Sequence, residues 1–191
     1  MTDPMGDHLP MLAVDPMMGW VMALAFSIFF ATAARHKWRD PVRLAAIVAR
    51  YRLLPSWASK PVGLIVTVLE TVVSLGLLYV PTRAMAGFAG AVLLMMYAVA
   101  MSINLRRGRT DLDCGCTGPR ERRPIARWMV VRNLLLAPSL GLLCLPLGPR
   151  ALETVDALSV VGGVGVLLML YAATDRLYSR ILPALRLLEA S

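Results

Sequence analysis

Residues 61–80 read PVGLIVTVLETVVSLGLLYV, a run of twenty residues with one charged side chain, Glu70. A helix that is apolar on every face lies either in the core of a large protein or in a membrane. A chain of 191 residues is not a large protein, and about 20 helical residues cross the hydrocarbon core of a bilayer. This stretch therefore predicts a transmembrane helix.

Composition extends this prediction to the whole chain. Hydrophobic residues make up 58% of the sequence and charged residues 17%, and the mean hydropathy is +0.64, which is more than a soluble domain of this size buries. We predict an all-α, polytopic membrane helix bundle that forms one domain over residues 1–191. The expected four to five spans lie at about 16–34, 61–80, 84–105, 128–147 and 157–174.

Two polar segments have the pattern of amphipathic helices. Asp40 and Pro41 suit the start of a helix. Apolar side chains then recur at helical spacing, namely Leu44, Ile47, Val48 and Tyr51. The arginines lie off that line, at Arg43, Arg50 and Arg52. The tail, residues 175–191, repeats the pattern. Such helices lie in the membrane interface, so membrane lipid is an expected partner.

Basic residues are concentrated on one side of the predicted membrane. Of the 20 lysines and arginines, 18 lie in segments 35–60, 106–132 and 175–191, and only Arg83 and Arg150 lie in the alternate segments. Short cytoplasmic loops carry an excess of basic residues, which predicts an inner-membrane protein with its N-terminus outside and its C-terminus inside. Because the net charge of +8 falls between apolar runs, it does not predict nucleic-acid binding.

Reactive side chains are concentrated in residues 111–118, DLDCGCTG, which follow the third span. A disulfide between Cys114 and Cys116 closes a small ring, and such strain makes a disulfide readily reducible. The neighbouring arginines favour the nucleophilic thiolate, whereas Asp111 and Asp113 oppose it. We therefore favour a redox pair at the cytoplasmic face. The alternatives are two incidental thiols or a copper(I) site, for which the loop offers no methionine or histidine.

The third cysteine, Cys144, is expected to be a buried apolar residue near the outer face. It lies roughly a membrane thickness from the pair, at about 1.5 Å per helical residue. Unless the loop folds deeply inward, the three sulfur atoms therefore cannot meet.

Glu70 lies near the middle of the second span. A carboxylate at that depth costs on the order of 3 kcal/mol, so it needs a partner or a function. The candidate partners are Ser74, Asn104, Arg132 and Asn133. We favour Arg132, because one ion pair then accounts for two costly residues. A proton-transfer or quinone-contacting role is the alternative.

Two runs of the sequence resemble a known family signature. Residues 104–118, NLRRGRTDLDCGCTG, and residues 128–136, WMVVRNLLL, are similar to the signature of the methylamine-utilisation protein MauE family, relatives of the DoxX-like membrane proteins. The order of the first span, the basic amphipathic segment, the span with a central glutamate and the span before the cysteine loop also resembles that family. The resemblance covers most of the chain, apart from the N-terminus and the tail beyond about 175.

The resemblance implies a maturation function. It implies a membrane protein needed to mature the small subunit of methylamine dehydrogenase, a periplasmic client that is dense in disulfides and carries a tryptophan-derived quinone. Such a protein works beside a thioredoxin-like partner. Carried over to this chain, Cys114 and Cys116 are the exchange pair, and Glu70, Arg132 and Asn133 are the buried polar support. No metal is implied, and a quinone is the one cofactor that we consider.

The charge pattern and the resemblance disagree about the side of the membrane. A direct oxidant of a periplasmic client needs its cysteines outside, whereas the charge count places them inside. Either the protein relays electrons between compartments, or the loop enters the membrane to meet a quinone, or the charge rule fails here; we favour the first two. The rival functions are a non-enzymatic assembly factor and a small-solute or copper(I) transport component, for which Glu70 and Pro138 mark a path.

Overall fold

Six α-helices make up most of the computed structural model, which describes residues 14–115, 124–146, 148, 150 and 153–181, without the side chains of 179 and 180. The helices are α1 (Pro16–Arg39), α2 (Pro41–Arg50), α3 (Ser59–Leu78), α4 (Arg83–Arg106), α5 (Arg127–Gly141) and α6 (Thr154–Arg176). Shorter helical turns lie at Ser56–Ala58, Val80–Thr82, Leu142–Cys144 and Leu177–Ile181. The predicted all-α polytopic bundle is confirmed. Cys116, the N-terminal segment 1–13 and most of the predicted tail helix lie outside the described residues.

Within the described residues, four helical segments are long and apolar enough to cross a membrane, namely Pro16–Arg39, Ser56–Leu78, Val80–Arg106 and Thr154–Arg176. They match four of the predicted spans. The fifth predicted span, 128–147, corresponds to α5, which has 15 residues and contains Pro138. At ~1.5 Å per residue α5 is about 23 Å long, and the 3-10 turn that follows adds about 6 Å. α5 packs along α4 inside the bundle.

The hydrophobic core lies where α1, α3, α4 and α5 meet, and its fully buried side chains include Phe30, Leu77, Leu94 and Leu140. Small residues on α4 allow close helix contact. A Cβ atom at Gly87 would lie 3.0 Å from the carbonyl oxygen of Leu140 on α5. α6 packs on the outside of α1.

One end of the bundle, which we call the basic end, is where α1, α4 and α6 end and where α3 and α5 begin. The amphipathic helix α2 packs against α3 there. At the opposite end, the Val14 N–H donates to the Pro146 carbonyl at 2.9 Å. The Arg150 guanidinium donates one hydrogen bond to Asp15 at 3.2 Å and another to Asp156. The hydrogen bond with Asp156 raises the pKa of Arg150 above its ordinary value. These contacts hold the start of α6 against the start of α1.

Cys114 and Cys144 lie towards opposite ends of α4. The Cys144 sulfur is 3.5 Å from the carbonyl oxygen of Ala84 in the first turn of α4, whereas Cys114 packs in the cluster that contains Met101. Between Ala84 and Met101 the helix rises about 26 Å, so these two sulfur atoms do not meet. The prediction that Cys144 is buried is wrong, because Cys144 ends the 3-10 turn after α5 and its side chain is exposed.

Candidate functional site

The two stems of the cysteine loop are packed into the basic end of the bundle. Leu112, two residues before Cys114, is 1% exposed, and Ile125 on the returning stem is 2% exposed. The Ile125 N–H donates to the Leu112 carbonyl at 2.8 Å, and both side chains pack with Met101 and Met129. Apolar side chains that lose contact with water in this way stabilise the packed arrangement. The loop therefore begins and ends at fixed points on the bundle.

Arginines of α2 neutralise both aspartates of the cysteine loop. Arg43 Nη2 lies 2.6 Å from Asp113 Oδ2, and Arg50 Nη2 lies 3.0 Å from Asp111 Oδ2. Arg109, before the loop, donates to the Arg50 carbonyl at 2.7 Å. Read from the sequence, the arginines favour the thiolate and the aspartates disfavour it. In the fold, the arginines form ion pairs with these aspartates. The aspartates therefore position the loop and leave little negative charge to oppose a thiolate.

A glycine turn presents Cys114. Gly115 has a φ of +73°, which glycine adopts at no steric cost, and its N–H donates to Asp113 Oδ1 at 3.2 Å. Cys114 itself is partly buried against the bundle.

We predict that, at a pH high enough to ionise the thiol fully, Arg43→Met speeds the labelling of Cys114 by a maleimide, because the Arg43–Asp113 pair holds the loop and its partly buried thiol against the bundle. Arg50→Met should leave the labelling rate nearly unchanged. The Arg43 pair is mostly buried, with side-chain exposures of 22% and 9%, whereas those of the Arg50 pair are 51% and 74%. Removing one partner of a buried pair is costly, and an exposed pair contributes only about 0–1 kcal/mol. The measurement is the labelling rate in a chain whose other two cysteines are serine. Equal rates in the two variants would mean that Asp113 does not hold the loop.

Glu70 belongs to a buried group that we call the Glu70 cluster, formed by Lys37, Glu70 and Tyr97. Glu70 is 1% exposed and Lys37 is 6% exposed. The Lys37 ammonium group forms an ion pair with Glu70 Oε1. The Tyr97 hydroxyl donates to the same oxygen at 2.6 Å, and Lys37 donates to the Tyr97 hydroxyl at 3.1 Å. Glu70 has the buried partner that its depth requires, but that partner is Lys37, and the expected pair with Arg132 is wrong.

In the sequence, Lys37 lies within a run of basic residues, which makes its burial difficult to predict. Residues 35–39, RHKWR, have the composition of a helix end, and the first span is predicted to stop at 34, yet α1 continues to Arg39. Phe30, Ala34 and Lys37 recur at helical spacing and are all buried. This periodicity is the signal that identifies Lys37, because a lysine on a buried face needs a carboxylate partner.

Arg132 and Asn133 lie in a separate polar contact between α5 and α6. Arg132 Nη1 is 2.8 Å from Asp175 Oδ1 in the last turn of α6, and Nη2 is 3.5 Å from Asn133 Oδ1. The Arg132 guanidinium also lies 5.6 Å from the centre of the Tyr171 ring. These residues are buried polar groups, as predicted, but they join α6 to the bundle through Asp175.

An apolar cavity of about 320 Å³ lies beside Cys114 and the Glu70 cluster. Its apolar lining includes Leu44, Ile47 and Val48 of α2, Tyr51 just after α2, Val66 of α3, and Met96 and Ala100 of α4. Lys37, Tyr97 and Cys114 also line it. The apolar line of α2 therefore covers a cavity in the bundle in addition to having the pattern of an interfacial helix. The fold thus brings a cysteine, an ammonium group and a phenol to one apolar volume.

Comparisons with known proteins identify the family. The family described as methylamine utilisation protein MauE matches residues 15–146, which contain the cysteine loop, the Glu70 cluster and α1 to α5. The chain is 34% identical over 163 residues to methylamine utilization protein MauE of Paracoccus denitrificans, covering 84% of this chain and 88% of that protein.

The protein of the same description from Methylophilus methylotrophus is 31% identical over 163 residues, covering 84% of this chain and 86% of that protein. The one from Paracoccus versutus is 34% identical over 164 residues, covering 85% and 88%. No solved structure matches the chain. With the matched family covering more than half of its length, this multi-pass membrane protein belongs to the MauE family of methylamine utilisation proteins.

Proposed function

We propose that this protein is a membrane thiol–disulfide redox factor that helps to mature a periplasmic client of methylamine utilisation, such as the small subunit of methylamine dehydrogenase. The observation that carries the proposal is the position of Cys114. It follows an aspartate held by Arg43 and precedes a glycine at φ +73°, and it lines a cavity with Lys37. A structural thiol needs none of these surroundings, whereas a reactive one needs a positioned thiolate and neutralised acids.

The proposed reaction is thiol–disulfide exchange with a thioredoxin-like partner. A thiolate of the pair attacks a disulfide sulfur of the partner, and the partner's other sulfur leaves as a thiolate. The second cysteine of the pair then attacks the mixed disulfide. Cys114 and Cys116 become a disulfide, and the partner leaves as a dithiol, so two electrons and two protons have passed from the pair to the partner. The reverse sequence reduces the pair.

We further propose that the protein lies in the inner membrane with the basic end at the cytoplasmic face. Arg43, Arg50 and Arg109 surround the cysteine loop at that end, and the charge excess of the sequence supports the same orientation. Electrons exchanged at Cys114 would then come from a cytoplasmic partner or leave through the membrane. The protein is in this view a relay between a thioredoxin-like partner and another redox carrier.

The test of this function is to trap the mixed disulfide. Cys114→Ser and Cys116→Ser are each made in a chain that also carries Cys144→Ser. We predict that the variant that keeps the attacking thiol accumulates a covalent adduct with a thioredoxin-like protein. The adduct forms because the resolving thiol is missing. It is measured by non-reducing electrophoresis and mass spectrometry of the purified protein.

The chain without any cysteine is the matched control and should form no adduct. Absence of an adduct in both single variants, together with a wild-type pair that stays in one redox state under oxidants and reductants, would contradict the proposal.

A further inference from the structure

The cavity beside Cys114 combines two environments. Most of its lining is apolar, from the line of α2 and from Val66, Met96 and Ala100. Its volume of about 320 Å³ falls within the range of small-molecule sites, about 300–1,000 Å³. Lys37 and Tyr97, which belong to the Glu70 cluster, contribute the polar part of the lining. A ligand that fits both parts needs an apolar body and a hydrogen-bond acceptor.

The Glu70 cluster has hydrogen-bonding capacity that the described residues do not use. A lysine ammonium group has three donor hydrogens, and Lys37 makes two hydrogen bonds within the part of the chain that is described, to Glu70 and to Tyr97. The Oε2 atom of Glu70 is buried without a hydrogen-bond partner among the same residues. Buried polar groups are costly when unsatisfied. Lys37 therefore offers a buried donor at the wall of the cavity.

The rim of the cavity is accessible from the sides of the helices. Met96 is 43% exposed and Leu54 is 44% exposed, and both line the cavity. Met96 lies on α4, one of the four segments that can cross a membrane. An exposed apolar side chain on such a segment faces lipid, so a membrane-soluble molecule can reach the cavity without passing through water.

We propose that this cavity binds a membrane quinone, which exchanges two electrons with the Cys114–Cys116 pair. The ring lies in the apolar volume, a ring oxygen accepts a hydrogen bond from Lys37, and the tail leaves past Met96. This inference rests on the proposed redox function and names the electron carrier for it. A lipid acyl chain fits the apolar lining equally well, but it has no acceptor for Lys37.

The reaction balances without any other reagent. Forming the Cys114–Cys116 disulfide releases two electrons and two protons from the dithiol, and the quinone takes up two of each to become a quinol. Lys37 stabilises the negative charge that develops on the ring oxygen and donates one proton to it. One of the protons released by the thiols restores the Lys37 ammonium group, and Glu70 keeps that positive charge in the buried site.

The experiment compares two oxidants of the purified, full-length, reduced protein. Decylubiquinone, a short-chain ubiquinone, is the probe of the cavity, and glutathione disulfide is the probe of the thiols alone. Ala100→Phe fills the cavity, and Ala172→Phe is the matched control on an exposed position of α6. Disulfide formation is followed by the loss of maleimide labelling, and quinol formation is followed by absorbance. A photoreactive azidoquinone locates the probe in the wild-type protein by mass spectrometry.

We expect one quinol for each disulfide formed by the wild-type protein and by Ala172→Phe. Ala100→Phe removes contacts between the quinone and the cavity, so it should slow oxidation by decylubiquinone by at least about tenfold. It should leave oxidation by glutathione disulfide unchanged. The azidoquinone should label α2 or α4 beside the cavity. Tyr97→Phe, which keeps the ring and removes the hydroxyl that bonds Lys37, should also slow only the quinone reaction.

Two results separate this inference from the function on which it rests. If glutathione disulfide oxidises the pair but decylubiquinone does not, or if Ala100→Phe reacts with the quinone as fast as Ala172→Phe, the quinone site is refuted and thiol exchange stands. If neither oxidant forms the disulfide, both proposals fail. Azidoquinone labelling that excess phospholipid abolishes, together with a quinone reaction that Ala100→Phe does not slow, would identify the cavity as an acyl-chain site and refute the quinone.

Discussion

Replacing both Cys114 and Cys116 with serine is expected to reduce client maturation to the level of a cell that lacks the protein. Serine keeps the size and polarity of each side chain but cannot form a disulfide, so the exchange pair is lost while the packing is nearly unchanged. The stems of the loop are held by Leu112, Ile125 and the Arg43 pair, which do not involve the sulfur atoms. The measurement is the amount of correctly disulfide-bonded client in the periplasm.

Cys144→Ser is the matched control for this loss. Cys144 is exposed at the opposite end of the bundle, about 26 Å along α4 from the site by helix geometry, so its replacement should leave maturation at the wild-type level. Equal amounts of the variants in the membrane must be shown by immunoblotting. Full maturation by the double serine variant would support the rival function of a non-enzymatic assembly factor, in which the cysteines are dispensable.

The helical spans could be predicted because their information is local. A run such as 61–80 is apolar on every face, and it forms α3 at Ser59–Leu78, within two residues of the predicted bounds. The predicted cap at Asp40 is also present, since its carboxylate accepts a hydrogen bond from the Arg43 N–H at 2.9 Å. Hydrophobic periodicity and capping chemistry act over one or two turns, so they can be identified without a tertiary structure.

The pairing of polar groups could not be predicted in the same way, because it depends on which helix faces which. Glu70 has several candidate partners by composition, and only the packing of α1 against α3 and α4 selects Lys37 and Tyr97. Arg132 has an equally good partner in Asp175, 43 positions away. A buried charge therefore predicts that a partner exists, and the fold decides its identity.

For the amphipathic helix α2, likewise, one part of its role could be predicted from the sequence and another part could not. Its apolar line and its arginines follow from the sequence, but the line covers a cavity and the arginines hold Asp111 and Asp113. These acids lie 61 and 70 positions after their arginine partners. A segment that resembles a lipid-facing helix thus also positions the cysteine loop, which local patterns do not reveal.

Lys37→Met is expected to destabilise the protein by about 3–5 kcal/mol, the cost of leaving one partner of a buried ion pair without the other. Glu70 would remain 1% exposed with Tyr97 as its described donor, so it must become protonated or the helices must separate. The free energy of unfolding is measured by titrating sodium dodecyl sulfate into the protein in mixed micelles. Lys60→Met, at an exposed position near the start of α3, is the matched control and should change it by less than about 0.5 kcal/mol.

Combining Lys37→Met with Glu70→Gln should recover most of the lost stability. The glutamine carries no charge, and its carbonyl oxygen still accepts the Tyr97 hydroxyl, so the buried site is neutral and bonded. Recovery in the double variant would separate the loss of a charge partner from a general loss of packing at Lys37. If Lys37→Met were as stable as Lys60→Met, the Lys37 ammonium group would lie at the membrane surface, and the Glu70 cluster could not supply a donor to the cavity.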